Sequence, residues 1–544
     1  MVHAILSFMR WLTLLAAISV HAQTADLVVR NAKIYTADPA KPNAAVLVIK
    51  DGKILAVGDS WAGKATRTVD AKGAMVMPGF IDSHGHVQGL GESLETLDLR
   101  GIKSEAEAAA MVEKVAKSAK PGEWIRGRSW DQNLWPGKQF PTKASLDQAA
   151  PANPVMLSRE DGHASWVNQR ALDLSDVNGK TPDPDGGKVL RTESGEATGV
   201  LIDMAQRLVG RKVPEATPEQ VRRYLARATS ELARLGITSV HDAGVSWETL
   251  QGYRALITAG EMPVRVNAMI GGVGPLWEMY KKRGPEIGDF LTVRSIKLYA
   301  DGALGSRGAA LLAPYSDDPQ NSGLLINKEE LIRQVSVEAV KTGFQVCTHA
   351  IGDGGNRAVL NAYAAALGGQ NNKRFRVEHA QVVAPEDFDI FRKFNIIASV
   401  QATHATSDMG WAEARLGPER VKGAYAWQSF LKRGIVVANG SDFPVEQPNP
   451  LWGFYSAVTR EDHSGAPNGG WYPAQKMNRS EALQSWTQTG AYAAFEESSK
   501  GSLTVGKVAD FIMLDHDIMT VPAADILKTR VTMTVVGGRV VYSE

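Results

Sequence analysis

The stretch Met77-Pro-Gly-Phe-Ile-Asp-Ser-His-Gly-His86 carries the strongest structural signal in this chain of 544 residues. It is a short apolar run that ends in two histidines, His84 and His86, spaced two residues apart. Alternate side chains of a β-strand lie on the same face, so both imidazoles project together if this run is a strand. Such a pair suits a borderline metal ion such as Zn²⁺, although ordinary surface or core histidines give the same pattern. The residues downstream decide between these two interpretations.

Length and composition indicate an ordinary globular protein with more than one domain. A chain of 544 residues is too long for a single hydrophobic core. Its hydrophobic fraction of 44% and charged fraction of 22% are typical of globular proteins. The 60 basic and 59 acidic residues leave a net charge of +1, which provides no electrostatic basis for binding nucleic acid or an anionic membrane. The sequence does not determine the oligomeric state, and a homo-oligomer is one possibility.

Residues 1–22 have the pattern of a secretory signal peptide. Arg10 precedes an apolar run over residues 11–20, and Val20-His-Ala22 fits a small-x-small cleavage site. This run is too short to span a membrane, and no later stretch is long enough either. A disordered N-terminus or a membrane anchor is the alternative. We expect a secreted or periplasmic chain that begins near Gln23 and contains no disulfide, because Cys347 is the single cysteine.

Both ends of the mature chain are rich in short β-branched runs. Residues 25–76 contain several of them, which we expect to be antiparallel, with Asp51-Gly52 as a hairpin turn. The C-terminal residues contain similar β-branched runs, with a second expected hairpin at Gly537-Gly538. Neither end has enough strands to bury a core alone. We therefore predict one composite β-sandwich domain from residues 23–76 and 500–544.

Between these ends, strands alternate with helices, a pattern typical of a parallel sheet covered by helices. One helix is expected from the capping box at residues 217–220 to Gly236, and another from Asn327, as N-cap, to Gly343. An α/β fold with a closed (β/α)₈ TIM barrel, built from residues 77–86 and 217–499, is predicted from eight candidate strands. These strands are 79–84, 237–242, 264–269, 294–300, 344–349, 375–380, 396–401 and 435–441.

Residues 87–216 interrupt this alternation. They are rich in Trp, Pro and Gly, and one clear helix begins in them, at the capping box formed by Ser104 and Glu107. We predict that this segment is a cap subdomain, inserted after the first barrel strand, that contributes to substrate binding.

Polar residues recur at the carboxyl ends of the predicted strands, where the active sites of barrels lie. Each has a structural alternative: His349 could be a satisfied core histidine, Lys297 a rim lysine and Asp442 the N-cap of the next helix. Their occurrence at equivalent ends of different strands favours a metal centre. The candidate ligands are His84, His86, Lys297, His349, His379 and Asp442.

Five motifs surround these residues. They are His84-x-His86, Lys297 followed by Asp301-Gly302, His349-Ala-Ile-Gly-Asp-Gly354, Arg376-Val-Glu-His-Ala-Gln381 and Asn439-Gly-Ser-Asp442. Together they resemble the amidohydrolase superfamily, and most closely its type 3 branch of YtcJ-like and N-substituted formamide deformylase-like enzymes. The resemblance covers nearly the whole mature chain. It implies a metal-dependent hydrolase that cleaves a non-peptide C–N bond in a small amide, N-substituted formamide or cyclic amide.

The resemblance also implies a pair of divalent metal ions, for which we expect zinc. A carboxylated Lys297 would bridge the two ions, the first ion would be held by His84 and His86, and the second by His349 and His379. A mononuclear centre without a carbamate stays open. One reason is that the sequence does not fix whether the strand face shared by Lys297 and Tyr299 points into the barrel.

By the same resemblance, Asp442 would contact the first ion and act as general base and then general acid with a metal-activated hydroxide. Such a centre attacks several electrophiles, so a hydrolase of esters, lactones or organophosphates is an alternative. A non-catalytic binding or regulatory protein of the same fold is another. A panel of amides and esters would separate the two kinds of hydrolase.

Further candidates for contact with the substrate are Trp130, Asp131, His163 and His404. Trp130 or the nearby Trp135 could form an apolar wall of the pocket, and His163 could donate a hydrogen bond to a substrate oxygen. The alternative is an aromatic cluster that seats the cap on the barrel, because pockets and domain interfaces use the same residue types. His404 could stabilise an oxyanion or simply cap a loop.

Overall fold

The computed structural model describes residues 24–544, so the signal peptide expected at residues 1–22 lies outside the described residues. Its centre is an eight-stranded parallel sheet in which every strand pairs with its neighbours in chain order. The predicted α/β barrel and all eight of its strands are confirmed, with small shifts of the boundaries. The strands are Phe80–Gly85, Ile237–Val245, Arg265–Gly271, Leu291–Tyr299, Gln345–Ala350, Arg376–His379, Ile397–Gln401 and Val437–Gly440.

The first and eighth strands nearly close this ring through single backbone contacts rather than a full ladder. The N–H of Asp442 donates to the carbonyl oxygen of His84, and the N–H of His86 donates to that of Phe443, each at 2.7 Å. These bonds join the residues that follow the eighth strand to the end of the first. Two of the predicted ligands, His84 and Asp442, are therefore adjacent.

Two buried residues allow this close approach. The Asp82 carboxylate accepts a hydrogen bond from the Ser441 hydroxyl at 2.7 Å and another from the His84 backbone N–H at 3.1 Å. Gly440 is required because a Cβ at this position would lie 2.5 Å from the backbone nitrogen of His84. The closure of the barrel thus depends on residues next to the candidate ligands.

Amphipathic helices cover the outside of the barrel. The helix Pro218–Arg234 begins with the predicted capping box at Thr217, and Gly236 follows its end with a φ of 81°. The prediction of Asn327 as an N-cap is wrong: the helix Glu329–Thr342 begins after Lys328, because the Asn327 side chain donates to the carbonyl oxygen of Tyr299 at 2.7 Å. Within residues 24–544, no helix has the length and apolarity needed to cross a membrane. The other helices that follow the second barrel strand are Trp247–Thr258, Pro275–Arg283, Asp353–Leu367, Phe388–Lys393, Ala402–Asp408, Ala412–Arg420, Trp427–Leu431, Pro450–Thr459, Arg479–Ser485, Gln488–Ala493 and Ala523–Ile526.

The chain ends form two small sheets. One contains, in spatial order, Lys53–Gly58, Val46–Lys50, Ala25–Arg30 and Ala65–Asp70. The other contains Arg539–Ser543, Val531–Val536, Phe511–Leu514, Met75–Pro78, Lys33–Tyr35 and Asn43–Ala44, so strands from both ends share it. The predicted turns at Asp51-Gly52 and Gly537-Gly538 are present, and all four residues have positive φ. The expectation of purely antiparallel pairing is wrong, because Ala25–Arg30 runs parallel to Ala65–Asp70.

We call residues 87–216 the insert. They contain a six-stranded mixed sheet that the sequence did not predict, in the order Gly187–Arg191, Ala197–Asp203, Ala164–Val167, Val155–Arg159, Ile125–Trp130 and Leu97–Asp98. The predicted helix is present as Glu105–Ala116, and its N-cap Ser104 accepts a hydrogen bond from the Glu107 N–H. The other helices of the insert are Val87–Ser93, Lys143–Ala149, Gln169–Leu174 and Gln206–Gly210.

Candidate metal centre

Three of the predicted ligands converge at the carboxyl end of the barrel. His84 belongs to the first strand, His379 ends the sixth, and Asp442 follows the eighth. All three side chains are buried, and one potential ligand atom from each lies within 4.8 Å of the others. His379 and Asp442 have φ values of 72° and 59°, in the left-handed region that residues with a side chain rarely adopt. Backbone strain of this kind concentrates at functional sites.

His86 and Lys297 border this cluster. The Nε2 atom of His86 lies 3.1 Å from Oδ1 of Asp442, and its side chain is 31% exposed. Lys297 is buried and points into the barrel, where its Nζ atom lies 3.2 Å from Nε2 of His84. The strand face of Lys297 is therefore the inner one.

His349, from the fifth strand, completes the set beside His379, with 4.6 Å between the two ring centroids. Its Nε2 atom lies 3.2 Å from the carbonyl oxygen of Gly302 and 3.6 Å from the Asp301 carboxylate. Burial raises the pKa of Asp301 to about 7. The Asp301 oxygens accept backbone N–H groups from three residues, so this carboxylate holds the loops around His349 in place.

Burial keeps the histidines of the cluster neutral. It lowers the pKa of His84 to about 4, with a further contribution from the charge of Lys297. Burial also lowers the pKa of His349 and that of His379 well below the ordinary value. A neutral imidazole keeps a lone pair on one nitrogen, which is the form that binds metal ions.

Asp442 lies beside His404. The His404 Nε2 atom is 3.4 Å from Oδ2 of Asp442, and its Nδ1 atom is 3.2 Å from Glu446. Burial opposes the charge on His404, but hydrogen bonds to both carboxylates raise its pKa well above the ordinary value. Burial also opposes the charge on Asp442 and would raise its pKa, but His404 and His86 hold the pKa of Asp442 well below its usual range. The Asp442 carboxylate is therefore ionised.

This donor set fits a divalent cation. Buried polar atoms in proteins are normally satisfied, yet Oδ1 of Asp442 is buried and has no hydrogen-bond partner among residues 24–544. A buried anionic oxygen next to neutral imidazole nitrogens is the environment that a metal ion satisfies. Imidazole and carboxylate ligands together suit Zn²⁺ and related ions.

The cluster opens into a cavity of about 990 Å³ that barrel and insert residues line together. The predicted ligands on its wall are His86, Lys297, His349, His379 and Asp442. A cavity of this size accommodates a small organic molecule next to the cluster.

Residues 67–542 match the amidohydrolase family. The chain belongs to this family. It is 35% identical to LONG AFTER FAR-RED 3 of Arabidopsis thaliana, over 99% of this chain and 95% of the relative. It is 30% identical to YtcJ of Bacillus subtilis (94% and 98%) and 27% identical to the N-substituted formamide deformylase of Arthrobacter pascens (96% and 99%).

A solved structure supports the same assignment. The crystal structure of a metal-dependent hydrolase from Pyrococcus horikoshii is 30% identical in sequence and superposes with a TM-score of 0.75, covering 91% of this chain and 99% of that one. The resemblance drawn from the strand-end motifs is confirmed. The protein is therefore an enzyme of the amidohydrolase family, and the alternative of a non-catalytic binding protein is set aside.

Trp130 of this amidohydrolase does not lie where the sequence suggested. It is fully buried, donates from Nε1 to the carbonyl oxygen of Leu157 at 2.8 Å, and packs against Trp135 and Trp166. The suggestion that Trp130 or Trp135 forms a wall of the pocket is wrong, because these rings fill the core of the insert. An aromatic cluster is present, but the expectation that it seats the cap on the barrel is wrong, because all the apolar side chains of this cluster belong to the insert.

The other predicted contact residues, Asp131, His163 and His404, lie on the cavity wall. Asp131 is ion-paired with the buried Arg159, which also binds Asp161 at 2.5 Å, so Asp131 does not offer a free carboxylate. The His163 ring lies 5.2 Å from that of His349, and its Nδ1 atom is 2.6 Å from Asp203. Burial opposes the charge on His163, but Asp203 raises its pKa to about 8.

Glu378 of the amidohydrolase is a functional residue that the sequence analysis missed. It is fully buried, and its Oε2 atom lies 2.5 Å from Nδ1 of His84, while Nε of Arg376 lies 2.7 Å from its Oε1. Burial would raise the pKa of Glu378, but Arg376 and His84 hold it well below its usual range. As a carboxylate it accepts the Nδ1–H of His84, which leaves Nε2 free to face the cluster. A carboxylate between Arg376 and His379, within one of the strand-end motifs, was the available signal.

Proposed function

We propose that this amidohydrolase cleaves a non-peptide C–N bond in a small molecule, such as an amide, an N-substituted formamide or a cyclic amide. The convergence of His84, His379 and Asp442 beside the cavity carries this proposal. Support for a C–N bond comes from the relative of Arthrobacter pascens, an N-substituted formamide deformylase that aligns over 99% of its length.

We propose further that the enzyme uses a pair of zinc ions, one held by His84 and His86, the other by His349 and His379, with Asp442 on the first ion. The position of Lys297 supports a carboxylated bridge, because its Nζ atom lies 3.2 Å from Nε2 of His84. An ammonium there would repel a cation, whereas a carbamate would be an anionic ligand. When bound, such ions polarise a carbonyl group and lower the pKa of water.

Asp442 is the residue placed to move the proton. It is ionised, so it can accept a proton from the attacking water. The same carboxyl group then delivers the proton to the leaving nitrogen. His404, 3.4 Å from Oδ2, fixes the orientation of the carboxylate during both transfers. His163 would donate a hydrogen bond to a substrate oxygen, a role supported by its position on the cavity wall.

Metal analysis and kinetics test these proposals. With bicarbonate supplied during expression, we expect about two zinc equivalents in the wild type and a fall towards one in Lys297→Ala. Lys188→Ala, at an exposed lysine of the insert, is the matched control and should keep the wild-type content. Full activity in a metal-free preparation would contradict the metal centre. A panel on which esters are hydrolysed and no amide is would replace the C–N assignment with an ester hydrolase.

Two proposals concern the rest of the chain. We propose that the terminal sheets form one β-sandwich domain, supported by the apolar cluster that Leu27 and Leu47 share with Phe511 and Val535. We also propose that residues 1–22 direct export, supported by the apolar run after Arg10. Mass spectrometry of the protein from its natural host should find an N-terminus near residue 23, and a retained Met1 would contradict export.

A further inference from the structure

Arg128 is a half-buried cation on the cavity wall that the proposed reaction does not use. Burial, together with the charge of Arg100, lowers its pKa to about 10, which still leaves it positively charged near neutral pH. Within residues 24–544 it forms no ion pair, and its side chain makes a single long hydrogen bond, from Nε to the Ser129 hydroxyl at 3.4 Å. Its two terminal nitrogens are therefore available to a ligand.

A β-bulge directly follows Arg128 in its strand. The strand Ile125–Trp130 pairs with Val155–Arg159, but Ser129 is skipped in the register, so Arg128 lies opposite Ser158 and Trp130 lies opposite Arg159. Ser129 has a φ of 70°, in the left-handed region. Bulges of this kind redirect side chains and are common next to active sites.

Arg100 fixes this bulge against the barrel. Its Nη2 atom donates to the Ser129 hydroxyl at 3.2 Å and to the carbonyl oxygen of Pro444 at 2.9 Å. Pro444 follows Asp442 by two residues, so the bulge is anchored to the segment that carries the proposed general base. Arg128 and Asp442 consequently lie on the wall of one cavity, close enough for the Asp442 charge to affect the pKa of Arg128.

The carboxylates near Arg128 make other contacts, and Asp98, which lies opposite it in the neighbouring strand, accepts the backbone N–H of Arg100 at 3.0 Å. Glu160 lies 3.6 Å from Nε of Arg100, and burial raises its pKa to about 8, so at neutral pH it carries little charge. Glu446 binds His404 at 3.2 Å and the Ser407 hydroxyl at 2.5 Å. A charge that is partly withdrawn from water is normally paired. The cavity thus presents a guanidinium that forms no ion pair within residues 24–544 and that an anionic ligand can pair with.

We infer that Arg128 binds a carboxylate group of the substrate, so that the molecule whose C–N bond is cleaved is an anionic amide, such as an N-formyl or N-acyl amino acid. This inference rests on the proposed function and narrows its substrate class. A guanidinium holds a carboxylate through two parallel hydrogen bonds, which the free terminal nitrogens of Arg128 can supply. Held at this point, the carboxylate would orient the scissile bond towards Asp442.

The test compares N-formyl amino acids with the N-formyl amino alcohols in which CH₂OH replaces the carboxylate, for glycine, leucine, phenylalanine and glutamate. Metal-loaded wild type should hydrolyse at least one of the acids with a kcat/KM about 30-fold or more above that of its alcohol. Arg128→Gln should remove this preference by slowing the acids alone, and Arg128→Lys should restore part of it. Arg170→Gln, at an exposed arginine of the insert outside the cavity wall, should match the wild type.

Equal kcat/KM values for acids and alcohols in the wild type, or an equal loss for both in Arg128→Gln, would overturn the inference. If the wild type hydrolyses none of these amides, the proposed function is at fault, and calorimetry then decides the inference separately. At least one acid should bind about tenfold or more tightly than its alcohol, and Arg128→Gln should abolish this difference. Preference for the acid that survives in Arg128→Gln would assign the carboxylate to another site.

Circular dichroism shows whether Arg128→Gln folds. If it does not, Arg128→Lys carries the test, because lysine keeps the charge but lacks the two-pronged geometry. It should then lower kcat/KM for the acids by about tenfold and leave the alcohols near wild-type values. An unchanged value for the acids would overturn the inference.

Discussion

Replacing Glu378 with glutamine removes one negative charge from the interior and leaves the shape of the side chain unchanged. This charge faces Nδ1 of His84 at 2.5 Å and Nε of Arg376 at 2.7 Å. Arg376, whose side chain is 1% exposed, would keep only uncharged partners for its outer nitrogens, among them the Ser83 carbonyl oxygen and the Ser399 hydroxyl. The variant therefore leaves a buried guanidinium without its counter-ion.

The size of two effects follows from this geometry. Breaking a buried ion pair costs about 3–5 kcal/mol, and glutamine recovers about 1 kcal/mol through a neutral hydrogen bond, so we expect the free energy of unfolding to fall by about 3 kcal/mol. Zinc affinity should fall by about 10- to 100-fold. The second effect arises because an amide orients His84 less strongly than a carboxylate and makes its Nε2 atom less basic.

Zinc affinity is measured by competition with a chelator, and stability by urea unfolding in excess EDTA, so that bound metal does not add to the stability. Glu386→Gln is the matched control. Its carboxylate lies 2.6 Å from Arg357 but is 65% exposed, so we expect a change within about 0.5 kcal/mol and an unchanged zinc affinity. A folded Glu378→Gln protein that binds zinc as tightly as the wild type would refute the reasoning.

Three further predictions follow from the barrel mouth. Asp442→Asn should lower kcat by about 100- to 10,000-fold in initial-rate assays, because the amide cannot accept the proton, and a rate within a few-fold of wild type would exclude Asp442 as the base. Gly440→Ala should cost about 3 kcal/mol in urea unfolding, since its Cβ would lie 2.5 Å from the His84 nitrogen, whereas Gly410→Ala, which has open space around it, should stay within about 0.5 kcal/mol; equal losses would contradict the close approach. Metal-free protein should lose stability as the pH falls from 6.5 towards 4, because the pKa of His84 is about 4 in the folded protein and 6.5 as the reference for the unfolded one. The stabilising contribution of neutral His84 is fully present above pH 6.5, and its loss amounts to about 3 kcal/mol at pH 4. Urea titrations should therefore show a weaker pH dependence in His84→Gln, and equal slopes in the two proteins would contradict this assignment.

The barrel was predictable because its strands carry their own signals. Gln345–Ala350 is continuously buried and follows a helix that ends at Gly343, so local sequence, burial and connectivity agree. The sheet of the insert was not predictable in this way. Its strand Ile125–Trp130 contains two arginines, a glycine and a serine, and it becomes a strand through pairing with Val155–Arg159.

The candidate site, too, was predictable from the sequence only in part. The convergence of the candidate ligands was predictable because residues at the carboxyl ends of barrel strands meet, wherever they lie in the chain. Glu378 was missed because its role depends on which charges are buried together, and the sequence does not contain this information. Trp130 was misplaced because an indole fits a pocket wall and a core equally well, and only its contacts distinguish the two.

The closure of the barrel also sets an order of events during synthesis. Asp82 and Ser441, which join the first and last strands, are 359 residues apart, and His84 is 294 residues from Glu378. At about 5–20 residues per second, roughly 15 seconds to a minute pass between the translation of the first histidine and that of its partners. The strand Met75–Pro78, just before the first barrel strand, pairs with Phe511–Leu514, so its partner is translated later still. A nascent chain therefore carries an incomplete set of the candidate ligands for most of its time on the ribosome.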